Sequence, residues 1–383
     1  MPIRSLSSRP AMVVAVPVRD EEARIGPCLL ALAAQGGATP DHVVLLVNNT
    51  TDGTVARVRD MAPALPFALT VACRVYPDAQ AHAGTARREA MEIAAARAGA
   101  GGILLTTDAD GRVAPDWIGR TLSALAAGAQ AVCGRARIDP MEALAIPAHL
   151  HRDDDREVAY ATVLDRIHDL ADPDPFDPWP RHTEHSGASI AVTVAAWARA
   201  GGVPALPIAE DRAFIAALRR VDTPIRHAAD VRVTVSGRIL GRARGGMADT
   251  IARRMERQDA VLDDSLEPAG DCLRRARARA WLRHLHDEQG IGRDTRASTA
   301  SLAAMLGVPT HHVAHRMIGP YFGMCWERLE AETPSLRRRR VHRSDLAWHH
   351  ARAVDIVAGL LDGPCIQDDR QVPLMSPASR SIR

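Results

Sequence analysis

The chain has 383 residues, of which 46% are hydrophobic and 25% are charged, a balance typical of globular rather than disordered proteins. The 48 basic and 46 acidic residues nearly cancel, so the net charge gives no general argument for a polyanionic partner. Aromatic residues make up only 3%, which disfavours binding of sugars or single-stranded nucleic acid on aromatic platforms. The chain has no lysine, and all 48 of its basic residues are arginine. This indicates a compositional bias, so a single arginine is weaker evidence for phosphate binding than usual.

The six cysteines are scattered without the spacing of a metal site or a disulfide framework. In a chain of this length, that pattern predicts reduced thiols and a cytoplasmic protein. The apolar run at residues 11–18 is too short for a signal-peptide core, and no run of 18 apolar residues predicts a transmembrane segment. The sequence therefore predicts a soluble protein without a transmembrane segment and leaves peripheral membrane contact open.

Strand and helix signals alternate over the first 135 residues. Apolar runs predict strands, and segments with helical spacing between them predict helices. The predicted strands are 12–18, 42–47, 69–75, a short one beginning at Ile103, and 129–133. This alternation predicts an α/β domain with a parallel sheet that is covered by helices on both faces.

The strand that begins at Ile103 ends in Asp108-Ala109-Asp110-Gly111. Carboxylates just beyond the C-terminal end of a buried parallel strand lie where open α/β sheets bind ligands. In such a motif one carboxylate can hold a divalent cation, Mg²⁺ or Mn²⁺, and the other a sugar hydroxyl. The same residues also have good turn chemistry, so the motif alone leaves both interpretations open.

Two other polar clusters follow predicted strands, at residues 19–22 and 48–54. Each has a simple structural explanation, as acids at a helix N-terminus or as a helix cap. Three such clusters at successive strand ends favour a nucleotide site at one edge of the sheet. The chain has no Gly-x-Gly-x-x-Gly after the first strand and no P-loop motif, which disfavours a dinucleotide-binding Rossmann domain and a P-loop enzyme.

The order of these motifs, from Val16-Pro17-Val18-Arg19-Asp20-Glu21 through 48–54 and 84–87 to 107–110, resembles the family 2 glycosyltransferases of the GT-A fold. The resemblance extends over residues 11 to about 245. It implies a GT-A domain with a mainly parallel central sheet. It assigns the metal, Mn²⁺ or Mg²⁺, to Asp110, and donor contacts to Pro17, Arg19, Asp20, Glu21, Asn49, Asp52, Arg87 and Asp108. The family usually has an Asp pair after its second strand, where this chain has Asn48-Asn49, so the base is not identified.

The acceptor side is assigned by the same resemblance to residues 136–246. The turn at Gly187 and Ala188 is expected to line the acceptor pocket, and His185 is a further acceptor candidate, although a lone histidine is more often structural. Glu210-Asp211 starts a predicted helix, where two acids also suit the helix dipole. The resemblance makes Asp211 the general base and Glu210 a residue that orients the base or the acceptor. The proline-rich segment 171–180 is either a lid or a plain connector.

A glycine- and arginine-rich segment, 237–246, follows the last predicted strand. By similarity to the family it closes over the donor diphosphate, with Arg238 or Arg242 on the phosphates. The Gln-x-x-Arg-Trp motif of processive members is absent, which favours single transfer over polymerisation.

Strand signals stop after this segment, and helices are predicted at 247–267, 271–289 and 345–361. Between the last two, 301–309 followed by 311–317 resembles a helix-turn-helix. We therefore expect a flexible N-terminus (1–10), a GT-A domain (11–246, with halves 11–135 and 136–246), a helical extension (247–363) and a loose tail (364–383). The extension lies outside the resemblance and is expected to recognise the acceptor or to mediate a homodimer.

The sequence thus predicts a metal-dependent, inverting glycosyltransferase that moves one sugar from a nucleotide diphosphate sugar to a hydroxyl acceptor. A nucleotidyltransferase on a similar fold is one alternative, because it also uses Asp-x-Asp and a divalent cation. A helix-turn-helix protein built on residues 296–320 is another. The low net charge counts against that reading, and no nucleic-acid partner is expected.

Overall fold

The computed structural model describes residues 9–239, 241 and 246–362. In the N-terminal half, strands and helices alternate as the hydrophobic pattern predicts. The elements are β1 (Met12–Val18), α1 (Ile25–Ala33), β2 (His42–Asn48), α2 (Thr54–Met61), β3 (Ala68–Arg74), α3 (Ala83–Ala98), β4 (Ile103–Thr106), β5 (Arg112–Val113), α4 (Trp117–Ala126) and β6 (Ala131–Ile138).

Two further strands complete the sheet, and helices dominate the rest of the chain. The elements are α5 (Pro140–Ala143), α6 (Ala148–Ala171), β7 (Ile190–Thr193), α7 (Val194–Arg199), α8 (Glu210–Arg220), β8 (Ile225–Val235), α9 (Met247–Glu256), α10 (Ala269–Gly290), α11 (Arg296–Leu306), α12 (Thr310–Arg316), α13 (Phe322–Glu332) and α14 (Leu346–Asp362).

The strands form one mixed sheet in the order β3-β2-β1-β4-β7-β6-β8-β5. The pairs β2–β3, β1–β2, β1–β4 and β6–β8 are parallel, and β7 runs antiparallel to both of its neighbours. The predicted fold class, a GT-A domain with a mainly parallel sheet followed by a helical extension, is confirmed. Because β1 lies between β2 and β4, the polar turns after these three strands meet at one edge of the sheet.

Side chains of β1 alternate between two cores, one on each face of the sheet. Val14 and Val16 pack with α1 and α4 residues on one face, whereas Val13 and Ala15 pack with α3 and α8 residues on the other. Strands buried on both faces have continuous apolar sequences, which explains the apolar runs from which the strands were predicted.

The helical extension has its own apolar core, formed by residues of α10 to α13. Helices α10 and α14 also pack against α6, so the extension is joined to the first domain by direct helix contacts. Both halves of the helix-turn-helix-like segment contribute to this core through Leu302, Leu306 and Val313. Within the described residues, no helix combines the length and the apolar character needed to cross a membrane.

The predicted helix at 247–267 is wrong in its C-terminal part. Helix α9 ends at Glu256, and the next residue, Arg257, is extended with φ −151°. The backbone N–H of Leu262 donates to the carbonyl of Val341 at 2.9 Å instead of continuing a helix. A partner far away in the sequence therefore ends the helix, and the local pattern of apolar residues does not reveal that partner.

Candidate active site

Three turns at the candidate site contain a non-glycine residue in the left-handed region. These residues are Asp20 (φ 50°), Asn49 (φ 48°) and Ala209 (φ 58°). Such conformations cost energy, and they cluster at functional sites because the surrounding structure enforces them. Asp20 follows β1, Asn49 follows β2, and Ala209 directly precedes Glu210. Sequence reasoning missed Ala209, since alanine carries no signal for a left-handed conformation.

The predicted donor residues Asp20 and Asp52 join the two turns to each other. Asp20 Oδ1 accepts a hydrogen bond from the Thr51 N–H at 2.7 Å. Asp52 Oδ2 accepts from the Glu22 N–H at 3.1 Å, and its other oxygen accepts from the Thr54 N–H at 3.0 Å. The turns after β1 and β2 are therefore crosslinked, which fixes the shape of this edge of the sheet.

The other predicted donor residues near β1 and β2 lie beside these turns. The Asn49 side chain donates to the Tyr76 carbonyl at 2.9 Å and accepts from the Tyr76 N–H at 3.1 Å. Arg19 donates to the Ala81 carbonyl at 3.0 Å. Pro17 lies within β1, paired in register with β2. Asn49 and Arg19 thus bind the segment that leads into α3.

Arg87 on α3 lies at the centre of the candidate site, and its side chain is only 5% exposed. Its Nη2 donates to Asp108 Oδ1 at 2.7 Å, and its Nε donates to Glu210 Oε1 at 3.1 Å. Its Nη1 donates to Thr106 Oγ1 at 2.7 Å and to the Gly187 carbonyl at 2.8 Å. One buried guanidinium therefore connects the Asp-x-Asp turn, the acceptor turn and the Glu-Asp pair. Its carboxylate neighbours raise the pKa of Arg87 and keep it charged.

The second arginine of the site, Arg238, contacts Asp110 of the Asp-x-Asp motif. Its Nη1 and Nη2 contact the two carboxylate oxygens of Glu21 at 3.0 and 2.6 Å, and its Nη2 lies 3.1 Å from Asp110 Oδ2. Burial, followed by the nearby Asp108, raises the pKa of Asp110 to about 6. Asp110 and Asp108 supply the hard oxygen ligands that Mg²⁺ or Mn²⁺ prefers, and a bound cation would relieve the repulsion between them.

The segment that carries Arg238 is anchored by a residue that sequence reasoning missed. Glu142 Oε2 accepts from the Gly237 N–H at 2.7 Å and from Ser236 Oγ at 2.9 Å. Its other oxygen accepts from Arg24 Nη1 at 2.7 Å. No local pattern connects Glu142 with a segment that follows 95 residues later. The other predicted phosphate ligand, Arg242, lies outside the described residues.

Asp211 lies in the first turn of α8, next to the acceptor turn. Its Oδ2 accepts from the Gly187 N–H at 2.9 Å, and its Oδ1 accepts from the Arg212 N–H at 2.7 Å. Glu210 is buried against Arg87, whereas Asp211 is only partly buried. The fold therefore separates the two acids, with Glu210 facing inwards and Asp211 facing the open side. Ala188, the other predicted acceptor residue, is fully buried beneath this turn.

His185 belongs to a chain of polar side chains behind the acceptor turn. Its Nε2 lies 3.2 Å from His227 Nε2 and 3.2 Å from Arg219 Nη2. His227 Nδ1 in turn contacts Asp177 Oδ2 at 2.7 Å. Burial, followed by the charge of Arg219, lowers the pKa of His185 to about 2, so the ring is neutral. The buried Asp177 therefore ties the proline-rich segment to β8.

Residues 13–174 match the model of glycosyl transferase family 2. The chain carries a family 2 glycosyltransferase domain. The match includes the turns after β1, β2 and β4 and all of α6, and thus contains the Asp-x-Asp motif. The resemblance seen in the sequence is confirmed over this segment, and the protein is a glycosyltransferase. No curated protein matches the chain.

The glycosyltransferase is also similar to solved structures at low identity. The mannosyltransferase PcManGT from Pyrobaculum calidifontis, in complex with GDP-Man and Mn²⁺, is 17% identical, with 93% of this chain and 86% of that one covered and a TM-score of 0.42. S. aureus TarS 1-349 with UDP-GlcNAc is 15% identical, with 91% and 90% covered and a TM-score of 0.46. Glucosyl-3-phosphoglycerate synthase from Mycobacterium tuberculosis, in complex with Mn²⁺, UDP and phosphoglyceric acid, is 14% identical, with 66% and 81% covered and a TM-score of 0.38. At this level of similarity, the ligands of those proteins say nothing about the ligands of this one.

Proposed function

We propose that this glycosyltransferase moves one sugar from a nucleotide diphosphate sugar to a hydroxyl acceptor, with inversion and with the help of a divalent cation. The observation that carries the proposal is the buried guanidinium of Arg87. It contacts Asp108 of the Asp-x-Asp motif and Glu210 of the acid pair, which are separated by about 100 residues in sequence. Arg87 therefore holds the Asp-x-Asp motif and the Glu-Asp pair in a fixed position relative to each other.

The donor side of the site consists of the turns after β1, β2 and β4. In this proposal, Asp110 holds the cation and Asp108 contacts the ribose or the sugar. The cation, when bound, neutralises charge that develops on the leaving diphosphate. The crosslinked turns at Asp20 and Asp52 shape the pocket for the nucleoside. Arg87 positions Asp108 and Glu210 from within the protein, rather than contacting the donor itself.

The acceptor side offers Asp211 as the general base. Its Oδ2 is oriented by the Gly187 N–H, which donates to it at 2.9 Å. Asp211 takes the proton of the acceptor hydroxyl while that oxygen attacks the anomeric carbon. The bond to the diphosphate oxygen breaks in the same step, and the leaving group departs on the side of Asp110. Attack and departure on opposite faces of the sugar give inversion.

Arg238 has two roles in this proposal. Without a metal it neutralises Asp110 and Glu21. When the cation and donor bind, it turns from Asp110 to the diphosphate, where its planar fork suits phosphate oxygens. The five cysteines in the described part of the chain are free, which supports our proposal that the enzyme works in the reducing cytoplasm.

The test is calorimetric binding of UDP, GDP, CDP and dTDP, each with and without Mn²⁺, to the wild type and to Asp110→Asn. We expect one nucleotide to bind in a metal-dependent manner and the variant to lose that binding. This result would also identify the donor base. Binding of no nucleotide, or equal binding by Asp110→Asn, would overturn the assignment of the Asp-x-Asp motif.

A further inference from the structure

Arginines from two helices meet at the end of α8 that is far from the base. Arg219 is exposed, and its Nη2 contacts His185, which belongs to the segment that also binds Asp211 through Gly187. Among the described residues, Arg219 has no carboxylate within ion-pair distance. Its neighbour Arg220 forms a bidentate pair with Glu327 at 2.7 and 2.6 Å. Two adjacent arginines therefore differ sharply in their partners.

Helix α10 of the extension brings two more arginines to the same place. The guanidinium groups of Arg279 and Arg283 lie 5.3 and 4.4 Å from the ring centre of Phe322. The next residue, Gly323, packs directly on the backbone of Arg219, since a Cβ at Gly323 would lie only 1.9 Å from the Arg219 carbonyl oxygen. Arg279 and Arg283 thus lie at the start of α13, and the backbone of Arg219 lies at the next residue of that helix.

Arginines outnumber the carboxylates that pair with them here, within the described part of the chain. Arg279 and Arg283 share the carboxylate of Asp172, with Arg283 Nε 3.1 Å from Asp172 Oδ1. Arg219 forms no ion pair with it. The nearby Asp177 is already bound to His227 and lies 3.3 Å from Arg226 Nη1.

The hydrogen bonds behind Arg219 also leave its donors available. His227 is neutral and gives its Nδ1–H to Asp177, so its Nε2 accepts from the Nε2–H of His185. Arg219 Nη2 lies 3.2 Å from His185 Nε2, so its contact is with a neutral ring. None of its donors meets a carboxylate among the described residues, and a bound anion would supply such an acceptor.

One exposed face of α8 extends from Arg219 towards the proposed base. Arg212, Ala216 and Arg219 are the exposed residues along one face of α8, spaced by four and three positions. Arg212 pairs with Asp263 at 3.5 Å, and the loss of such an exposed ion pair costs little free energy. Asp211 and Arg219 are about 12 Å apart along the helix axis, from the rise of 1.5 Å per residue. Both contact the segment 185–187, so both face the same side.

We propose that the acceptor of this glycosyltransferase is anionic, and that its phosphate or carboxylate group binds between α8 and α10 at Arg219, Arg279 and Arg283, with its hydroxyl at Asp211. The inference rests on the proposed function, since it uses Asp211 as the base. It assigns the helical extension a part in acceptor recognition. A phosphate and a carboxylate both accept paired hydrogen bonds from a guanidinium group. The experiment distinguishes them by comparing glucose 6-phosphate with glucuronate.

The experiment measures binding of inorganic phosphate, glucose, glucuronate and glucose 6-phosphate to the full chain at low ionic strength. The three sugar compounds share one ring and differ in charge. The variants are Arg219→Gln and Arg220→Gln, which lie side by side on α8 and remove the same charge. Thermal unfolding and Mn²⁺-dependent nucleotide binding are measured on each protein, to show that the fold and the donor site persist.

We expect inorganic phosphate and at least one anionic sugar to bind, the anionic sugar ten times or more as tightly as glucose. Arg219→Gln should weaken this binding about tenfold, whereas Arg220→Gln should leave it unchanged. Equal binding of glucose and both anionic sugars, or equal losses in the two variants, would overturn the inference even if a nucleotide binds with Mn²⁺. If the anion binds at Arg219 but no nucleotide binds, the anion site stands and the proposed function fails.

Discussion

Arg238 Nη2 lies 3.1 Å from Asp110 Oδ2, so a protein cation contacts the carboxylate that we propose as the metal ligand. The guanidinium and a divalent cation cannot share this position. Metal binding must therefore displace Arg238 from Asp110, although its two contacts with Glu21 can keep it nearby. The displaced group then lies beside the place where the diphosphate is expected.

Replacing Arg238 with glutamine should have opposite effects on metal binding and on turnover. Removal of the competing charge is expected to tighten binding of Mn²⁺ alone by about threefold to tenfold. Turnover should fall by about tenfold or more, because a phosphate contact of the transition state is lost. Calorimetry and a transfer assay measure the two effects. Arg120→Gln, which removes an exposed arginine on α4 paired with Asp116, should change neither. A variant with lower Mn²⁺ affinity and normal turnover would contradict this role of Arg238.

Arg87→Gln should be strongly destabilising. Loss of one partner from a buried ion pair costs about 3–5 kcal/mol, because the remaining charge is left uncompensated. Here both Asp108 and Glu210 lose their contact with Arg87. Urea denaturation gives the free energy of unfolding of Arg87→Gln, Glu210→Gln and the double variant. We expect the double variant to lose less stability than the sum of the two single variants. Additive losses would show that the two side chains are not coupled.

Asp211→Asn should remove the proposed base while leaving the fold intact. Asparagine keeps an oxygen that accepts from the Gly187 N–H, so the local structure should be retained. The turnover number is expected to fall by about 10²–10⁴, with Mn²⁺-dependent nucleotide binding unchanged. Asp230→Asn, an exposed carboxylate on β8, is the matched control. Transfer at the wild-type rate by Asp211→Asn would require another base.

Gly187→Ala should disturb the site without changing any charge. A Cβ at this position would lie 2.5 Å from Arg87 Nη2, so the guanidinium or the turn must move. We expect a loss of about 1–3 kcal/mol of stability, typical of overpacking, and a clear loss of activity. Gly119→Ala on α4 is the control, because open space surrounds that position, and alanine in a helix should be neutral or slightly stabilising. Similar effects of the two substitutions would argue against the tight contact.

His182 should make stability depend on pH. Burial lowers the pKa of His182 to about 4, and its Nδ1 accepts from the Glu184 N–H at 3.1 Å, a bond that protonation would break. Below its ordinary pKa of about 6.5, the unfolded chain binds a proton that the folded chain does not. The free energy of unfolding should therefore fall as the pH decreases from about 6.5 to about 4.

The contribution of His182 to this fall is on the order of 3 kcal/mol, from the shift of its pKa. Denaturation at pH 8 and at pH 5 should show a smaller loss for His182→Gln than for the wild type. The exposed His149, replaced in the same way, should leave the loss unchanged. Equal pH dependence in all three proteins would contradict the buried, neutral state of His182.

The sequence alone was sufficient to predict the α/β alternation, the ends of β1, β2 and β4, and the family, although β6 extends to Ile138 rather than ending at Cys133. These features depend on local patterns, such as the apolar run before Asp108-Ala109-Asp110. A strand that is buried on both faces needs apolar side chains along its whole length, which makes such a run recognisable. The ordered motifs after β1, β2 and β4 were predictable for the same reason. Residues 13–174, which match the family model, contain all three of these turns.

Only the tertiary structure decided which side chains meet. Arg87 and Glu210 are 123 residues apart, and Arg238 and Glu21 are 217 residues apart. The early end of α9 and the arginine cluster between α8 and α10 also depend on segments that are distant in sequence. Such contacts form because packed helices and strands bring charged groups together in a medium of low polarity, where each buried charge needs a partner. Local periodicity contains no information about that partner.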